Sequence, residues 1–311
     1  MSSLEALLAA PERAVDLHAH TRFSDGELSP DELVARAAAA GVRVLAVTDH
    51  DTLAGLAEAQ QAADARAITL IPGMEVSARL PLGSDGEGGG AKGVHVLAYF
   101  PPGAPPDLSA WAAMRRAARR TRLLAMLERL AALGMPLDPA QVLPADDPEA
   151  GNSGHRTPGR PHLARGLLAA GHVGSLQEAF DRWLGEGKPA YVEDQVPAVS
   201  EAIGMIHALG GLAVVAHPAV DDLDPDLEAM AAQGLDGVEA YHGSHHAEQA
   251  ARFHARARAL GLLVTGGSDF HGDPPPGEGP GGWRGLGQVD LPSEEWRRFA
   301  RALCGQREGE R

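Results

Sequence analysis

Cysteine and lysine are nearly absent from this chain of 311 residues, which contains one cysteine, Cys304, and two lysines, Lys92 and Lys188. A single cysteine excludes an internal disulfide framework and any cysteine-based zinc site. No run of about 18 apolar residues occurs, so we expect no transmembrane helix. The N-terminus lacks the early basic residues of a secretory signal. These absences together favour a cytoplasmic protein.

Positive charge is also scarce, because 42 acidic residues face 27 lysines and arginines, giving a formal net charge of -15. This balance argues against an extended surface for duplex nucleic acid, which requires a basic footprint. It is compatible with a metal-dependent enzyme, since carboxylates and neutral imidazoles bind divalent cations. The 14 histidines are therefore the informative feature of the composition.

Short apolar runs alternate with alanine-rich helical stretches, which is typical of an α/β protein with parallel strands, either open or closed into a barrel. The apolar run at 42–48 is typical of a strand buried on both faces. The glycine-rich segment 79–92 is unsuited to a helix, so we expect strands three and four to form a long antiparallel hairpin. Seven strands are predicted, at residues 14–18, 42–48, 68–76, 93–100, 212–218, 236–242 and 262–269.

The strand pattern disappears between residues 102 and 195. Helices are predicted there at about 108–133, 161–170 and 175–184. We therefore expect the parallel sheet, open or closed into a barrel, to be made of residues 1–101 and 196–311, with 102–195 forming a helical insertion domain.

Histidines and acids are concentrated at the predicted ends of the strands. The carboxyl ends of parallel barrel strands share one rim, where active sites are built. His18 and His20 are two residues apart on a strand, so both imidazoles lie on one face. His95 begins its strand, and it reaches the same rim if that strand is antiparallel to strand three. Nine residues are predicted at this rim, more than one ion requires: His18, His20, Asp25, His50, Glu75, His95, His217, Asp269 and His271.

Three further residues are candidates for substrate contact. Arg160 and His162 lie in the predicted insertion, and His245 follows strand six. The planar guanidinium of Arg160 suits a phosphate, whereas a surface loop is the alternative for each residue. The arginine-rich stretch 115–122 is predicted to be a solvated helix face, with a guide for an anionic substrate as the alternative.

The chain resembles the PHP (polymerase and histidinol phosphatase) family in six segments: DLHAHTRFSDGELSPDELV, VLAVTDHDTLAG, PGMEVSA, the strand of His95, AVVAHP and GSDFHG. The resemblance implies a distorted seven-stranded (β/α) barrel with a trinuclear metal site. The TRFSDG loop, which supplies Asp25, resembles a subgroup of nucleotide phosphoesterases, as do the segments GRPHLARGLLAAG and GSHHAEQ. That subgroup contains 3',5'-nucleoside bisphosphate phosphatases and 5'-to-3' exoribonucleases.

By resemblance, the nine residues would form three ligand groups for three divalent metal ions, manganese first, with zinc or iron as alternatives. These groups are His18, His20, Glu75 and Asp269; Asp25, His50 and His271; and Glu75, His95 and His217. The implied reaction is attack of a metal-bridging hydroxide on phosphorus, with no covalent catalytic residue required. The expected partner is a nucleotide or a short oligonucleotide, not a membrane.

Several alternatives stay open at this point. A histidinol-phosphate phosphatase, or another small-molecule phosphatase, would use a similar metal site. A metal-binding structural module without catalysis would be indicated by missing ligands, and all nine are present. The amidohydrolase class often uses a carbamylated lysine at a strand end, and neither Lys92 nor Lys188 lies at a suitable one. The oligomeric state has no signature in the sequence.

Overall fold

Seven strands form one sheet in the computed structural model, which describes residues 7–8, 14–81, 91–103, 105–144, 156–273 and 285–305. The strands follow chain order across the sheet. The two edges meet, since Leu17 N–H donates to Gly266 O at 3.2 Å and Ala19 bridges Phe270. The predicted barrel is confirmed. Its strands are β1 (Val15–Asp16), β2 (Val44–Val47), β3 (Thr69–Pro81), β4 (Ala91–Tyr99), β5 (Leu212–Val215), β6 (Gly237–His242) and β7 (Leu263–Gly267).

Strand β4 runs antiparallel to both of its neighbours, whereas the other neighbouring pairs are parallel. The predicted hairpin between β3 and β4 is confirmed, and its register pairs His95 with Ser77. Strand β3 continues to Pro81, beyond the predicted end, because its extension pairs with the first residues of β4. Residues 82–90, most of the glycine-rich segment, lie outside the described part of the chain.

Helices connect most of the strands and cover the outside of the barrel. Helix α1 begins with a capping box, in which Ser29 Oγ accepts from Glu32 N–H and Glu32 Oε2 accepts from Ser29 N–H. The helices are α1 (Pro30–Ala39), α2 (Leu56–Ala65), α3 (Ser109–Ala132), α4 (Pro139–Val142), α5 (Arg160–Ala169), α6 (Leu176–Ala179), α7 (Val199–Ala208), α8 (Leu227–Ala232), α9 (Ala247–Ala259) and α10 (Ser293–Leu303).

The helices between β4 and β5 have an apolar cluster separate from those of the barrel. Helix α3 contributes Leu123, Met126 and Leu130, which pack with Leu163 and Leu167 of α5. Each of these side chains is nearly or fully buried, and burying one such side chain contributes about 1.5–3 kcal/mol. This cluster supports the proposal that residues 102–195 form an insertion domain.

Candidate metal centre and cleft

Several residues at the ends of the strands have positive φ angles, a left-handed backbone conformation that residues other than glycine rarely adopt. Asp51, His217 and Asp269 have φ angles of 53°, 29° and 54°. They follow β2, β5 and β7, so the chain turns sharply at the rim. A Cβ at Gly267 would lie 2.4 Å from the Cβ of His18, so the close approach of β7 to this residue requires glycine.

The structure brings all nine predicted ligands together at one rim of the barrel. Their donor atoms fall into overlapping groups, and within each group the atoms lie within 4.8 Å of one another. These groups are His20, Asp25, His50 and His271; His18, His20, Glu75 and Asp269; and His50, Glu75 and His95. His217 joins the last group, because its Nε2 lies 3.0 Å from Glu75 Oε1 and 3.2 Å from His95 Nδ1.

Glu75 lies at the centre of the cluster and is 1% exposed. Its Oε1 is 2.8 Å from His95 Nδ1, and its Oε2 is 3.0 Å from His20 Nε2. Burial alone would raise the pKa of Glu75, but the surrounding imidazoles hold it well below its ordinary value. Each carboxylate oxygen therefore faces a different group of imidazoles, which is the arrangement of a bridging ligand.

The donor set fits divalent metal ions. His18 Nε2 and His20 Nε2 lie 3.1 Å apart, and each is 3.2 Å from Asp269 Oδ1. The three atoms therefore face a common point, with nitrogen and oxygen donors that suit manganese, iron or zinc. Burial would lower the pKa of His20, but the carboxylates of Asp269 and Glu75 raise it to about 10. The electrostatic field of these carboxylates therefore favours positive charge at the point that His18, His20 and Asp269 face.

Strand β6 contributes two buried residues to the centre, Glu239 and His242, that sequence reasoning missed. His18 Nδ1–H donates to Glu239 Oε1 at 3.0 Å, and His217 N–H donates to Glu239 Oε2 at 2.8 Å. A carboxylate in such a position fixes the tautomer of an imidazole that binds a metal ion. Here it leaves Nε2 of His18 facing His20 and Asp269. His242 Nε2 lies 3.3 Å from Asp269 Oδ2.

A register shift explains why both residues reach the centre. Residues three apart on a regular strand lie on opposite faces. Strand β6 has an irregularity between Glu239 and Tyr241, which changes that alternation. The available sequence signal is the acidic residue within the apolar run 236–242, because a buried charge needs a partner.

Asp49 supports the loop that carries Asp25. Its Oδ1 accepts hydrogen bonds from Thr21 N–H at 2.8 Å and from Ser24 Oγ at 2.7 Å, and its Oδ2 accepts from Thr21 Oγ1 at 2.6 Å. Ser24 Oγ in turn lies 3.3 Å from His20 Nδ1. The loop between β1 and α1 is therefore fastened to the end of β2.

A cleft of about 410 Å³ opens beside the metal ligands, between the barrel rim and the helices that follow β4. The barrel side includes several of the predicted ligands, and the helical side includes arginines and aromatic residues. Among the lining residues are Asp25, His50, His95, His271, Arg119, Arg122, Arg160, Phe180 and Tyr191.

The prediction of a solvated face for the arginine-rich stretch is wrong for Arg115 and Arg119, which are 2% and 7% exposed. Both guanidinium groups contact the buried carboxylate of Asp51, at 3.3 and 2.7 Å. Arg119 Nη2 also donates to Ser77 Oγ at 2.6 Å. Burial alone would raise the pKa of Asp51, but Arg119 and Arg115 hold it below its ordinary value. This network joins α3 to the rim.

Comparison with known proteins decides the family. The PHP domain family model matches residues 16–134. The 3',5'-nucleoside bisphosphate phosphatase of Chromobacterium violaceum is 36% identical over 278 residues, covering 85% of this chain and 88% of its own length. The chain belongs to the PHP family. The 5'-3' exoribonuclease of Haemophilus influenzae is also 36% identical to this PHP chain, over 91% of it and 98% of the relative.

Solved structures agree with the PHP assignment. A crystal structure from Bifidobacterium adolescentis, of a protein proposed to be a metal-dependent phosphoesterase, superposes with a TM-score of 0.75 and 33% identity. The alignment covers 94% of this chain and 97% of that structure. The PHP chain is thus a hydrolase of phosphate esters. No helix in its described part is long and apolar enough to cross a membrane.

Of the three predicted substrate contacts in this PHP protein, Arg160 lines the cleft. His162 lies in a separate groove, with one ring nitrogen accepting from Gly159 N–H. His245 is 2% exposed; its Nδ1 is 2.9 Å from Ala240 O and its Nε2 accepts a backbone N–H. Burial lowers the pKa of His245 to about 4, so its ring is neutral. Substrate contact by His162 and His245 stays a prediction.

Proposed function

We propose that this PHP protein is a metal-dependent phosphoesterase that acts on nucleotides. It would release the 3'-phosphate of 3',5'-nucleoside bisphosphates, trim short RNA from its 5' end, or do both. One observation carries the proposal: the convergence of nine nitrogen and oxygen ligands beside a cleft lined by arginines. The 36% identity to both a bisphosphate phosphatase and a 5'-3' exoribonuclease supports the substrate class.

The ligand groups support three divalent ions, with manganese preferred and zinc or iron as alternatives. Glu75 would be shared, since its two oxygens face different imidazoles. Bound divalent ions of this kind lower the pKa of water and neutralise charge on phosphoryl oxygens. The proposed ligands are His18, His20, Asp25, His50, Glu75, His95, His217, Asp269 and His271.

The protein's own side chains would orient the substrate and the ligands. The Nδ1–H of His18 donates to Glu239, and this hydrogen bond holds the imidazole of His18 in one tautomer. The arginine side of the cleft would hold substrate phosphate, because a guanidinium offers paired donors to two phosphate oxygens. Contact with the substrate is proposed for Arg160, His162 and His245.

The size of the cleft and the net charge of the chain favour a small substrate. A cleft of about 410 Å³ lies within the range that accommodates single small ligands. The formal charge of -15 disfavours an extended nucleic acid. The bound ions would offset part of that charge locally, at the point where phosphate must approach.

A phosphate-release panel in the presence of manganese tests the proposal. Its substrates are adenosine 3',5'-bisphosphate, AMP, histidinol phosphate and a short 5'-phosphorylated RNA. We expect turnover of the bisphosphate or the RNA, and much less of the others. Release from histidinol phosphate alone would replace the proposal by its small-molecule alternative.

A matched pair of variants ties turnover to the metal centre. Asp269→Ala should abolish turnover while the circular dichroism spectrum is retained, because this carboxylate faces both His18 and His20. Asp273→Ala, four residues further on and exposed, should leave turnover unchanged. Full activity in Asp269→Ala would eliminate this metal centre as the site of reaction.

A further inference from the structure

A histidine of β6 that is not among the nine proposed ligands is buried against the metal centre. His242 is 3% exposed, and its ring centre lies 6.0 Å from that of His18 and 5.6 Å from that of His217. Donor atoms of His18, Glu239 and His242 also lie within 4.8 Å of one another. The imidazole of His242 therefore has one of two roles, that of a further metal ligand or that of a support for a ligand.

The turn after β6 decides which ring nitrogen of His242 carries a proton. Ser244 N–H donates to Nδ1 of His242 at 3.2 Å, and the hydroxyl of Ser244 lies 2.9 Å from the same nitrogen. A backbone N–H is only a donor, so Nδ1 is the acceptor and the neutral ring carries its proton on Nε2. Because a histidine binds a metal ion through an unprotonated nitrogen, this tautomer leaves Nε2 as a hydrogen-bond donor.

The same turn is fastened to β7, the strand that leads to Asp269. Gly243 N–H donates to Gly267 O at 3.0 Å, and His245 N–H donates back to His242 O at 3.0 Å. These two bonds fix the backbone that presents Ser244 to the imidazole. The tautomer of His242 is thus set by the fold of the turn.

Nε2 of His242 faces one of the two oxygens of Asp269. The distance from Nε2 to Oδ2 is 3.3 Å, whereas Oδ1 lies 3.2 Å from Nε2 of both His18 and His20. Asp269 also has a φ angle of 54°, and its N–H donates to His18 O at 2.8 Å. A residue in this sparsely populated conformation persists only where its surroundings hold it. The backbone bond holds one end of Asp269, and His242 is placed to hold the other.

The role of a further ligand fails on the donor atoms themselves. Glu239 Oε1 accepts from His18 Nδ1–H at 3.0 Å, and its Oε2 accepts from His217 N–H at 2.8 Å. His18 Nδ1 and His242 Nε2 both carry protons, so two of the three donor atoms in this group are unsuited to a metal ion. The group of His18, Glu239 and His242 is therefore a hydrogen-bonded support beneath the metal centre.

We infer that His242 is a positioning residue for Asp269. Its Nε2–H holds Oδ2, so that Oδ1 alone is directed at the point that His18 and His20 face. The inference rests on the proposed function, because it assigns a role within the proposed metal centre. It adds the turn 243–245 to the parts of the chain that set the geometry of that centre, since this turn fixes the tautomer of His242.

Manganese binding to the chelator-treated protein, measured by calorimetry, tests this role independently of turnover. His242→Ala should weaken binding by about 10- to 100-fold, because residues that support metal ligands contribute this much. His242→Gln should recover part of that affinity, since the glutamine amide offers an N–H donor at the distance of Nε2. His246→Ala changes an exposed histidine at the start of α9 and should bind as the wild type does. Wild-type affinity in His242→Ala, or no recovery in His242→Gln, would overturn the inference.

Two further measurements distinguish a support from a ligand. Long-range ¹H–¹⁵N spectra of the metal-free wild type should show a proton on Nε2 of His242 and none on Nδ1, and they require no variant to fold. The opposite tautomer would overturn the inference. Elemental analysis after dialysis against saturating manganese should find equal numbers of ions in His242→Gln and the wild type. One ion fewer in the variant would identify His242 as a ligand instead.

Kinetics separate failure of this inference from failure of the proposed function. On a nucleotide that the wild type hydrolyses, His242→Ala should lower kcat by about 10- to 100-fold and change KM by less than about twofold, because the buried ring does not reach the substrate. A rise in KM at constant kcat would place His242 at the substrate and refute the positioning role. Weakened manganese binding in His242→Ala, without phosphate release from any nucleotide by the wild type, would refute the proposed function alone.

Discussion

The buried contact between Asp51 and two arginines gives a sharp test of how α3 is held to the barrel. Asp51→Asn keeps the shape of the side chain and removes its charge. Asp51 is fully buried, and Arg115 and Arg119 are 2% and 7% exposed, so solvent screens this network very little. Removing one partner of a buried ion pair leaves an uncompensated charge and costs about 3–5 kcal/mol. We expect a loss of that size in the free energy of unfolding.

Urea unfolding, followed by circular dichroism in the presence of a chelator, measures this loss without a contribution from metal binding. Asp273→Asn is the matched control, because its pair with Arg36 is exposed and should contribute little. A loss for Asp51→Asn as small as that of the control would refute the reasoning.

The loss of unfolding free energy caused by Asp51→Asn should depend on pH in a defined direction. The pKa of Asp51 in the folded protein is below its ordinary value of 3.8. A depressed carboxyl pKa contributes stability above the unfolded pKa, and that contribution is lost as pH falls through the folded value. The difference between wild type and Asp51→Asn should therefore be constant from about pH 6 to 8 and shrink only below about pH 4.

Two further predictions concern metal binding. Glu239→Gln should weaken manganese binding to the metal-free protein by about 10- to 100-fold, as measured by calorimetry. Glu295→Gln is the control, because it alters a buried acid that is bonded to His254 and should leave manganese affinity unchanged. Equal manganese affinities of Glu239→Gln and the wild type would contradict the role of Glu239. Manganese binding near pH 7 should release protons, because nearby carboxylates overcome the effect of burial and raise the pKa of His18 and His20. Calorimetry in buffers of different ionisation enthalpy measures this release. Identical apparent enthalpies of manganese binding in those buffers would contradict the prediction.

Local sequence pattern was sufficient for the seven strands and for the positions of the nine proposed ligands, whereas closure of the sheet into a barrel came from the family resemblance. Apolar runs gave the strands, and the ligands lie where those runs end, so strand polarity placed most of them at one rim. Placing His95 at this rim required one more inference, that β4 is antiparallel to β3. This inference followed from the glycine-rich segment between the two strands, where a parallel connection would have a helix. The pairing register now shows the same reversal directly.

The residues that sequence pattern missed depend mainly on a strand irregularity and on contacts between distant parts of the chain, although the acid at position 239 within an apolar run was one available signal. Glu239 and His242 both reach the centre because β6 departs from regular alternation, and an irregularity of one residue leaves no trace in hydrophobic periodicity. Arg115 and Arg119 look like surface residues because their partner, Asp51, lies more than 60 positions earlier in the chain. Tertiary contact, not composition, decides whether an arginine is exposed.

Helix α3 has a mechanical consequence for the cleft. Its 24 residues span about 36 Å, from the barrel core near Leu108 to the separate apolar cluster around Leu130, and the Asp51 contacts hold it midway. A rotation of about 10° at Arg119 would move Leu130, about 16 Å further along the axis, by about 3 Å, but would move Arg122 by less than about 1 Å. Helix α5 packs on that distal part, but its N-terminal half is fastened to the barrel, since Arg165 Nη2 donates to Asp25 O and Thr157 N–H, just before the helix, donates to Phe23 O. Bending of α3 would therefore disturb the distal apolar cluster more than the end of α5 that lines the cleft.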